Sequence, residues 1–275
     1  MRAQNLAISV PTTMAGICDK NCEYCVSRMT GYMKSNRKLM HRNLPKVKEL
    51  AHVGQVTSVL LTGKGEPTMN RTDLNWLMEE FNHLPLELQT NGLRLSKDLT
   101  YLVDLAYCGL NTLAVSIDSL KMFNEYETMF RKSKELGLIN RVTLNITNKI
   151  PDDIPFDNLA AICISSGVDQ LMLRNVVIPS NVSTDTKEAQ WIEKNVDPLL
   201  YFRLQQELRD RCKKEGMLLR RLNFGSTVYD YHGVSVTYSD YCVQDDNDGE
   251  DIRSLIFMED GHCYTSWNSK ASILF

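Results

Sequence analysis

The chemistry of this chain is most concentrated in eight residues, Cys18-Asp-Lys-Asn-Cys22-Glu-Tyr-Cys25. Three of its eight cysteines lie there, while Cys108, Cys163, Cys212, Cys242 and Cys263 are scattered. In a chain of this size without an export signal, such clustering favours metal ligation or free thiols over a disulfide scaffold. A structural zinc site or an electron-transfer cluster uses four protein ligands. Three thiolates in one loop instead leave a cubane iron with an open position, which is a place for chemistry.

A second concentration follows in Gly63-Lys64-Gly65-Glu66-Pro67. Glycines let backbone approach a ligand closely, and the Glu66 carboxylate suits an ammonium partner. Thr90-Asn91-Gly92 and Ser116-Ile117-Asp118 add polar groups at the ends of two further apolar runs.

The cysteine loop resembles the signature of the radical S-adenosylmethionine (radical SAM) superfamily, C-x3-C-x-aromatic-C after the first barrel strand, with Tyr24 at the aromatic position. The resemblance implies that Cys18, Cys22 and Cys25 bind three irons of a [4Fe-4S] cluster. It implies that the methionyl amine and carboxylate of S-adenosylmethionine chelate the fourth iron, with Tyr24 near the adenine. Gly63, Gly65 and Glu66 are similar to the family's G-G-E-P loop, which holds the cofactor's amino group. By the same resemblance Ser116 and Asp118 face the ribose or methionyl group. Asn145 and Arg174 are candidates for the remaining polar contacts, Arg174 by pairing with the carboxylate. The implied activity is oxygen-sensitive reductive cleavage of the cofactor, with electrons from a donor such as flavodoxin or ferredoxin, giving a 5'-deoxyadenosyl radical that abstracts a substrate hydrogen.

The elements that must position these residues follow from apolar runs alternating with helix-length stretches. Strands are expected at 6–11, 58–62, 86–90, 112–117, 141–146 and 170–178, with helices near 45–53, 73–83, 97–108, 121–137, 156–166 and 197–215. Asp73 is a candidate helix cap, and Gly109, Gly137 and Gly167 are candidate helix stops. Repeated strand-helix units need right-handed crossovers and build a parallel sheet, open or closed, with functional loops at the C-terminal ends of its strands. The family resemblance selects the closed form: an α/β chain with a partial (β/α)6 TIM-like barrel over 1–217. Short strands at 219–224, 227–231 and 234–238, and a hairpin at 254–258 and 263–267, form a small β-rich C-terminal extension over 218–275.

That hairpin is faintly similar to the SPASM and Twitch extensions of the family, which hold auxiliary clusters. Cys242, Cys263 and Cys212 or His262 are too few for such a cluster and read as ordinary thiols and a bystander. Cys108 and Cys163 read as small buried side chains. Tyr229, Tyr231, His232 and Tyr238 read as hairpin packing in preference to a pocket wall.

A formal charge of −3 argues against a chain held to nucleic acid by bulk electrostatics. No apolar stretch suits an export signal or a membrane span, so a cytoplasmic protein is expected. Arg203, Arg209, Arg211, Lys213, Lys214, Arg220 and Arg221 cluster within one segment, and Asp245, Asp246, Asp248, Glu250 and Asp251 follow. Both runs read first as solvated surface. The basic one would also suit a phosphate-bearing substrate, so a nucleotide, nucleoside or nucleic-acid base is the expected substrate. A ribosomal peptide is the alternative, and a non-catalytic zinc or iron-sulfur binding protein is the alternative of another class.

Overall fold

A computed structural model describes residues 2–12, 17–222, 226–239, 251–267 and 269–275. In chain order the first elements are β1 (Ala3–Ser9), α1 (Val26–Thr30), α2 (Arg37–Val53), β2 (Val59–Thr62), α3 (Arg71–Phe81), β3 (Leu86–Thr90), α4 (Leu93–Lys97), α5 (Leu99–Tyr107) and β4 (Leu110–Ile117). They continue with α6 (Lys121–Glu125), α7 (Glu127–Glu135), β5 (Ile139–Ile146), α8 (Phe156–Ser165), β6 (Gln170–Asn175), α9 (Lys187–Asn195) and α10 (Pro198–Glu215). The last are β7 (Met217–Arg221), β8 (Thr227–Tyr231), β9 (Val234–Ser239), β10 (Ile252–Phe257) and β11 (Cys263–Tyr264).

All eleven strands belong to one sheet in the order β11-β10-β1-β2-β3-β4-β5-β6-β9-β8-β7. From β10 to β9 every neighbour pairs in parallel, and β11, β8 and β7 add antiparallel edges. Strands alternate their side chains between the two faces. Along β6, Leu171 and Leu173 are buried toward the helices, whereas Met172 and Arg174 turn to the other face and line a cavity. The core lies between sheet and helices, where Leu6, Ile8, Leu88 and Leu144 meet Leu74, Phe81, Phe130 and Leu204. On the inner face, Ala7, Gln89, Ser116, Arg174 and Arg220 come from strands far apart in the sheet order, yet they line the same cavity. Only a sheet curled on itself can do that, and the architecture is an open partial barrel.

Several expectations are corrected. The C-terminal strands are not an appendage: β9 continues the parallel wall beyond β6, and β10 pairs in parallel with β1, Ala3 opposite Ile252. The reason is burial, because Val234, Val236, Leu255 and Phe257 are all fully enclosed in the same core as the six expected strands. Eight parallel strands, not six, therefore run side by side. Helix α2 starts at Arg37, capped by the Asn36 side chain accepting from Leu39 N, and it carries Pro45 inside. Asn70, not Asp73, caps α3, and Asp73 sits in its first turn, where its carboxylate accepts from Asn70 Nδ2. Gly109, Gly137 and Gly167 take left-handed φ values of +97°, +78° and +77° as helix stops. Helix α9, capped by Thr186, was not anticipated. Asn223 and Phe224 at the end of the strand expected at 219–224, Cys242, and the acidic residues Asp245, Asp246, Asp248 and Glu250 lie outside the described residues.

Candidate active site

A cavity of about 570 Å³ opens inside the barrel and is lined by Cys18, Cys22, Gly63, Gly65, Glu66, Ser116 and Arg174. Seven of the eleven residues expected to handle cluster or cofactor thus share one chamber. Tyr24, Cys25, Asp118 and Asn145 stand behind it.

The cysteine loop leaves the end of β1 and is held by its own backbone and by α9. Cys25 precedes α1, and its carbonyl accepts from Arg28 N and Met29 N at 3.1 and 3.2 Å. The Arg28 guanidinium donates to the Cys22 carbonyl, to Asn21 Oδ1, and to Glu188 Oε1 of α9 at 2.6 Å. The Tyr24 ring packs 5.7 Å from Trp191 on the same helix. Cys18 Sγ accepts from Lys20 N at 3.4 Å and from Asn91 Nδ2 at 3.7 Å.

Gly65 is required by this loop. A Cβ built there would stand 2.1 Å from the Ile17 carbonyl oxygen, and the next residue, Glu66, donates its N–H to that same oxygen at 2.8 Å. The glycine expected to admit a ligand therefore first admits the backbone that carries the cysteines. Gly63 has more room, with Val10 O at 3.4 Å from such a Cβ.

Glu66 is buried at 6% exposure, and its Oε1 accepts from Thr68 N, Thr68 Oγ1 and Thr90 Oγ1, while Oε2 accepts from Asn91 N. Oε1 is saturated, and Oε2 keeps a lone pair for a further donor. Burial pushes this carboxyl up, and the donors from Asn91, Thr90 and Thr68 oppose that rise.

Asp118 serves the loop from the side. Its carboxylate accepts from Tyr24 Oη at 3.0 Å and from Lys20 Nζ and Lys149 Nζ, each at 3.4 Å. Burial acts to raise its pKa, but Lys20, Lys149 and the Tyr24 hydroxyl outweigh it and hold the group below the usual aspartate range. Asn145 Nδ2 donates to the Ile117 carbonyl at 3.3 Å and reaches Tyr24 Oη at 3.5 Å. The phenol of Tyr24 is pushed up by burial, then by Asp118, and stays protonated as a donor.

Glu259, in the C-terminal hairpin, closes the base of the same excursion. Its Oε2 accepts from Thr12 N at 2.8 Å, from Thr12 Oγ1 at 3.0 Å, and from Ser35 Oγ. Thr12 and Ser35 flank the stretch that carries the cysteines, so one carboxylate staples both ends of it.

The donor set fits an iron-sulfur cubane. Burial pushes the Cys22 thiol up to about 11, with Lys20 opposing and Asp118, Cys25 and Cys18 adding. The same burial raises Cys18. Cys22 feels the charges of both Cys18 and Cys25, and the thiols of Cys18 and Cys22, so buried, need a cation to release their protons. Among the described residues no three His, Cys, Asp or Glu side chains surround a position for one metal ion. A cubane distributes its thiolates over separate irons.

Other candidates fall elsewhere. Cys263 and Cys212 are buried, on β11 and α10, and burial pushes each up to about 12. Cys163 is buried as expected, whereas Cys108 is half-exposed. Tyr231 packs against Phe156 and donates to Asp157 Oδ1 at 2.7 Å, both on α8, so it fastens its strand to that helix. The basic run is divided: Arg203 pairs with Glu207 and Arg211 with Asp157, while Arg220 faces the cavity. Lys20, Lys149, Arg28, Trp191 and Glu259 carried no signal in the sequence, because lysines and carboxylates on loops are ordinary until a fold gives them partners.

A model of the radical SAM superfamily matches residues 12–147, the segment from the cysteine loop through β5. The chain belongs to the radical SAM superfamily. Radical SAM enzymes work with a [4Fe-4S] cluster and S-adenosylmethionine. One curated relative, the GTP 3',8-cyclase of Clostridium acetobutylicum, is 31% identical over 108 residues, which is 38% of this chain and 32% of that protein. The chain thus spans about a third of the length of that relative. Solved structures share the fold: Streptococcus suis SuiB bound to S-adenosylmethionine has a TM-score of 0.60 at 14% identity, covering 95% of this chain and 60% of SuiB. Native anSMEcpe with bound AdoMet and the Kp18Cys peptide has a TM-score of 0.65 at 15% identity, covering 98% and 76%. Among the described residues no helix is long and apolar enough to cross a membrane.

Proposed function

We propose that this radical SAM enzyme holds its cluster on Cys18, Cys22 and Cys25 and acts on a nucleotide, a nucleoside or a nucleic-acid base. The observation that carries the reading is the shared chamber at the C-terminal ends of the parallel strands, where two of the cysteines, both loop glycines, Glu66, Ser116 and Arg174 converge. When bound, cluster and cofactor supply a 5'-deoxyadenosyl radical by reductive cleavage, and this radical abstracts a substrate hydrogen.

The chain's own groups orient and enclose. Glu66 Oε2, with its remaining lone pair, accepts from the cofactor's ammonium, and Arg174 pairs with the carboxylate through its planar fork. Ser116 offers a hydroxyl from the floor. Asp118, already taken up by Tyr24 and two lysines, positions the loop, and Asn145 assists it. The barrel wall keeps water from the reacting atoms. Seven described free thiols and an open cluster suit a reducing, cytoplasmic setting and an oxygen-sensitive enzyme fed by a flavodoxin or ferredoxin.

The substrate class is favoured by the name of the relative, a GTP cyclase, and by the basic lining of the chamber. A peptide substrate is the second reading, favoured by the fold likeness to SuiB solved with its precursor peptide SuiA, at a TM-score of 0.60 and 16% identity. Anaerobic reconstitution tests the core of the proposal. The expected result is a brown protein with about four irons per chain that releases 5'-deoxyadenosine with dithionite, and Cys18→Ala should abolish both properties. A colourless protein retaining one zinc would refute it in favour of a non-catalytic module.

A further inference from the structure

A closed parallel barrel ordinarily fills its interior with branched aliphatic side chains. Here the inner face of β3 and β5 carries an ion pair instead. Glu87, Gln89 and Arg141 line the chamber, and Glu87 is buried at 8% exposure. Arg141 Nη1 donates to Glu87 Oε2 at 2.5 Å, and its Nε donates to Gln170 Oε1 on β6 at 2.7 Å. Gln89 Nε2 donates to Glu87 Oε1 at 3.1 Å. The strand between them, β4, makes the contact possible. Ala114 pairs with Gln89 on one side and Arg141 on the other, and its short side chain leaves the gap that the arginine crosses.

A buried ion pair is a weak means of holding strands together, because desolvation offsets most of its attraction. This one is distinguished by what it keeps in reserve. Among the described residues each Glu87 oxygen takes one hydrogen bond, which leaves a lone pair on each. Arg141 uses Nε and Nη1 within the network, and a guanidinium carries five N–H donors. The pair therefore offers two acceptors with a donor beside them.

Among the common bases, guanine alone answers that order on one edge: N1–H and the 2-amino group donate next to each other, and O6 accepts beside them. Adenine and cytosine set a single amino donor against an acceptor, and uracil has a single N–H between two acceptors. A peptide arginine brings two donors but no acceptor, and it would meet the like charge of Arg141. The height of the pair is also suitable. Glu87 precedes Thr90, whose hydroxyl donates to Glu66, by three residues or about 10 Å along the strand. A base at that depth leaves its ribose toward the level of the cofactor groups.

We infer that Glu87 and Arg141 form a base-reading floor for a guanine nucleotide, with Glu87 accepting from N1–H and the 2-amino group and Arg141 donating to O6. The inference rests on the proposed function above and narrows its substrate class. Gln89 and Gln170 are positioning residues that hold the carboxylate and the guanidinium in place.

The test uses the reconstituted holoenzyme with S-adenosylmethionine under anaerobic conditions and calorimetric titration of the triphosphates of guanosine, inosine, adenosine, cytidine and uridine. The guanosine nucleotide should bind about tenfold or more tighter than each of the others. Inosine is the closest comparison, since it keeps N1–H and O6 and lacks only the 2-amino group. Glu87→Gln should weaken the guanosine nucleotide about tenfold and cancel its advantage over inosine. A merely structural pair would weaken all five alike. Equal binding of guanosine and inosine nucleotides, preference for another base, or a Glu87→Gln loss shared by all five would overturn the inference. Tighter binding of a peptide than of every nucleotide would do the same. If Glu87→Gln does not fold, the guanosine and inosine comparison on the unaltered enzyme decides alone. Formation of 5'-deoxyadenosine in the same samples separates the two levels. Without it, or without binding of any nucleotide, the proposed function fails; with both but no guanine preference, only the base-reading floor fails.

Discussion

The two walls of the cavity are built by opposite means. On the side of β1 to β4 the functional groups are short, buried and already bonded: Glu66 carries four donors and Asp118 three, and Gly65 exists because a carbonyl occupies the place of its side chain. On the side of β6 and β7 they are long arginines, with Arg220 exposed. The first wall fixes geometry and leaves one lone pair to spare. The second supplies charge on adaptable arms. Generating a radical demands the same geometry in every turnover, whereas recognition tolerates a side chain that settles around its ligand.

The largest effect should come from the tightest point. Gly65→Ala sets a methyl group against the Ile17 carbonyl, where neither backbone can give way. A loss of about 3 kcal/mol in stability is expected, with most bound iron lost, measured by thermal unfolding and iron analysis. Gly63→Ala, which meets nothing nearer than 3.4 Å, should keep its iron. If the two alanine variants behave alike, the first wall is not the rigid one.

Glu66→Gln comes next. The amide cannot accept at both ends, so one of the surrounding donors is left facing an NH₂ group, at a cost of about 2 kcal/mol. Affinity for S-adenosylmethionine should fall about tenfold by calorimetry, with the cluster content retained. Unchanged affinity would move the ammonium site elsewhere.

A smaller effect is expected at Asp118. Its pKa is lower folded than unfolded, so its contribution is fully present above the ordinary aspartate value of about 4. It is lost only as pH falls through the depressed folded value. Unfolding followed from pH 8 to 3 should therefore show no Asp118 signature above pH 5. Asp118→Asn should lower stability at pH 7 by about 1 kcal/mol, and the difference from the parent should shrink in acid. A difference that instead grows in acid would reverse the assignment. The smallest effect is that of Arg211→Ala. Its pairing with Asp157 is half exposed, so less than about 1 kcal/mol should be lost, with nucleotide affinity unchanged.

What could be read in the sequence was local. The cysteine spacing, the glycine-rich turn after β2, the helix-stopping glycines and all six expected core strands to within a few residues depend on neighbours close in the chain. What could not be read depends on distant partners. Tyr24 meets Asp118 across 94 positions, and Glu259 reaches Thr12 across 247. Nothing in the composition of residues 218–275 reveals that their strands flank the barrel at both margins. That follows from the edges left open by β1 and β6, which only the assembled sheet defines. Helix α2 begins at Arg37, ahead of the stretch expected near 45–53, and runs through Pro45. The helix tolerates it, since buried Met40, Leu44 and Val47 hold both sides of the break against the sheet.

The pairing of Ala3 with Ile252 has a consequence for biosynthesis. Strand β1 is made well before its partner β10, so that flank is covered only when the later strand arrives, and the hairpin carboxylate that fastens Thr12 and Ser35 follows β10 in the chain. Until β10 and the hairpin are in place, the segment from Thr12 to Ser35 lacks the clasp that joins its two ends, so closure of the loop is tied to closure of the sheet at that margin.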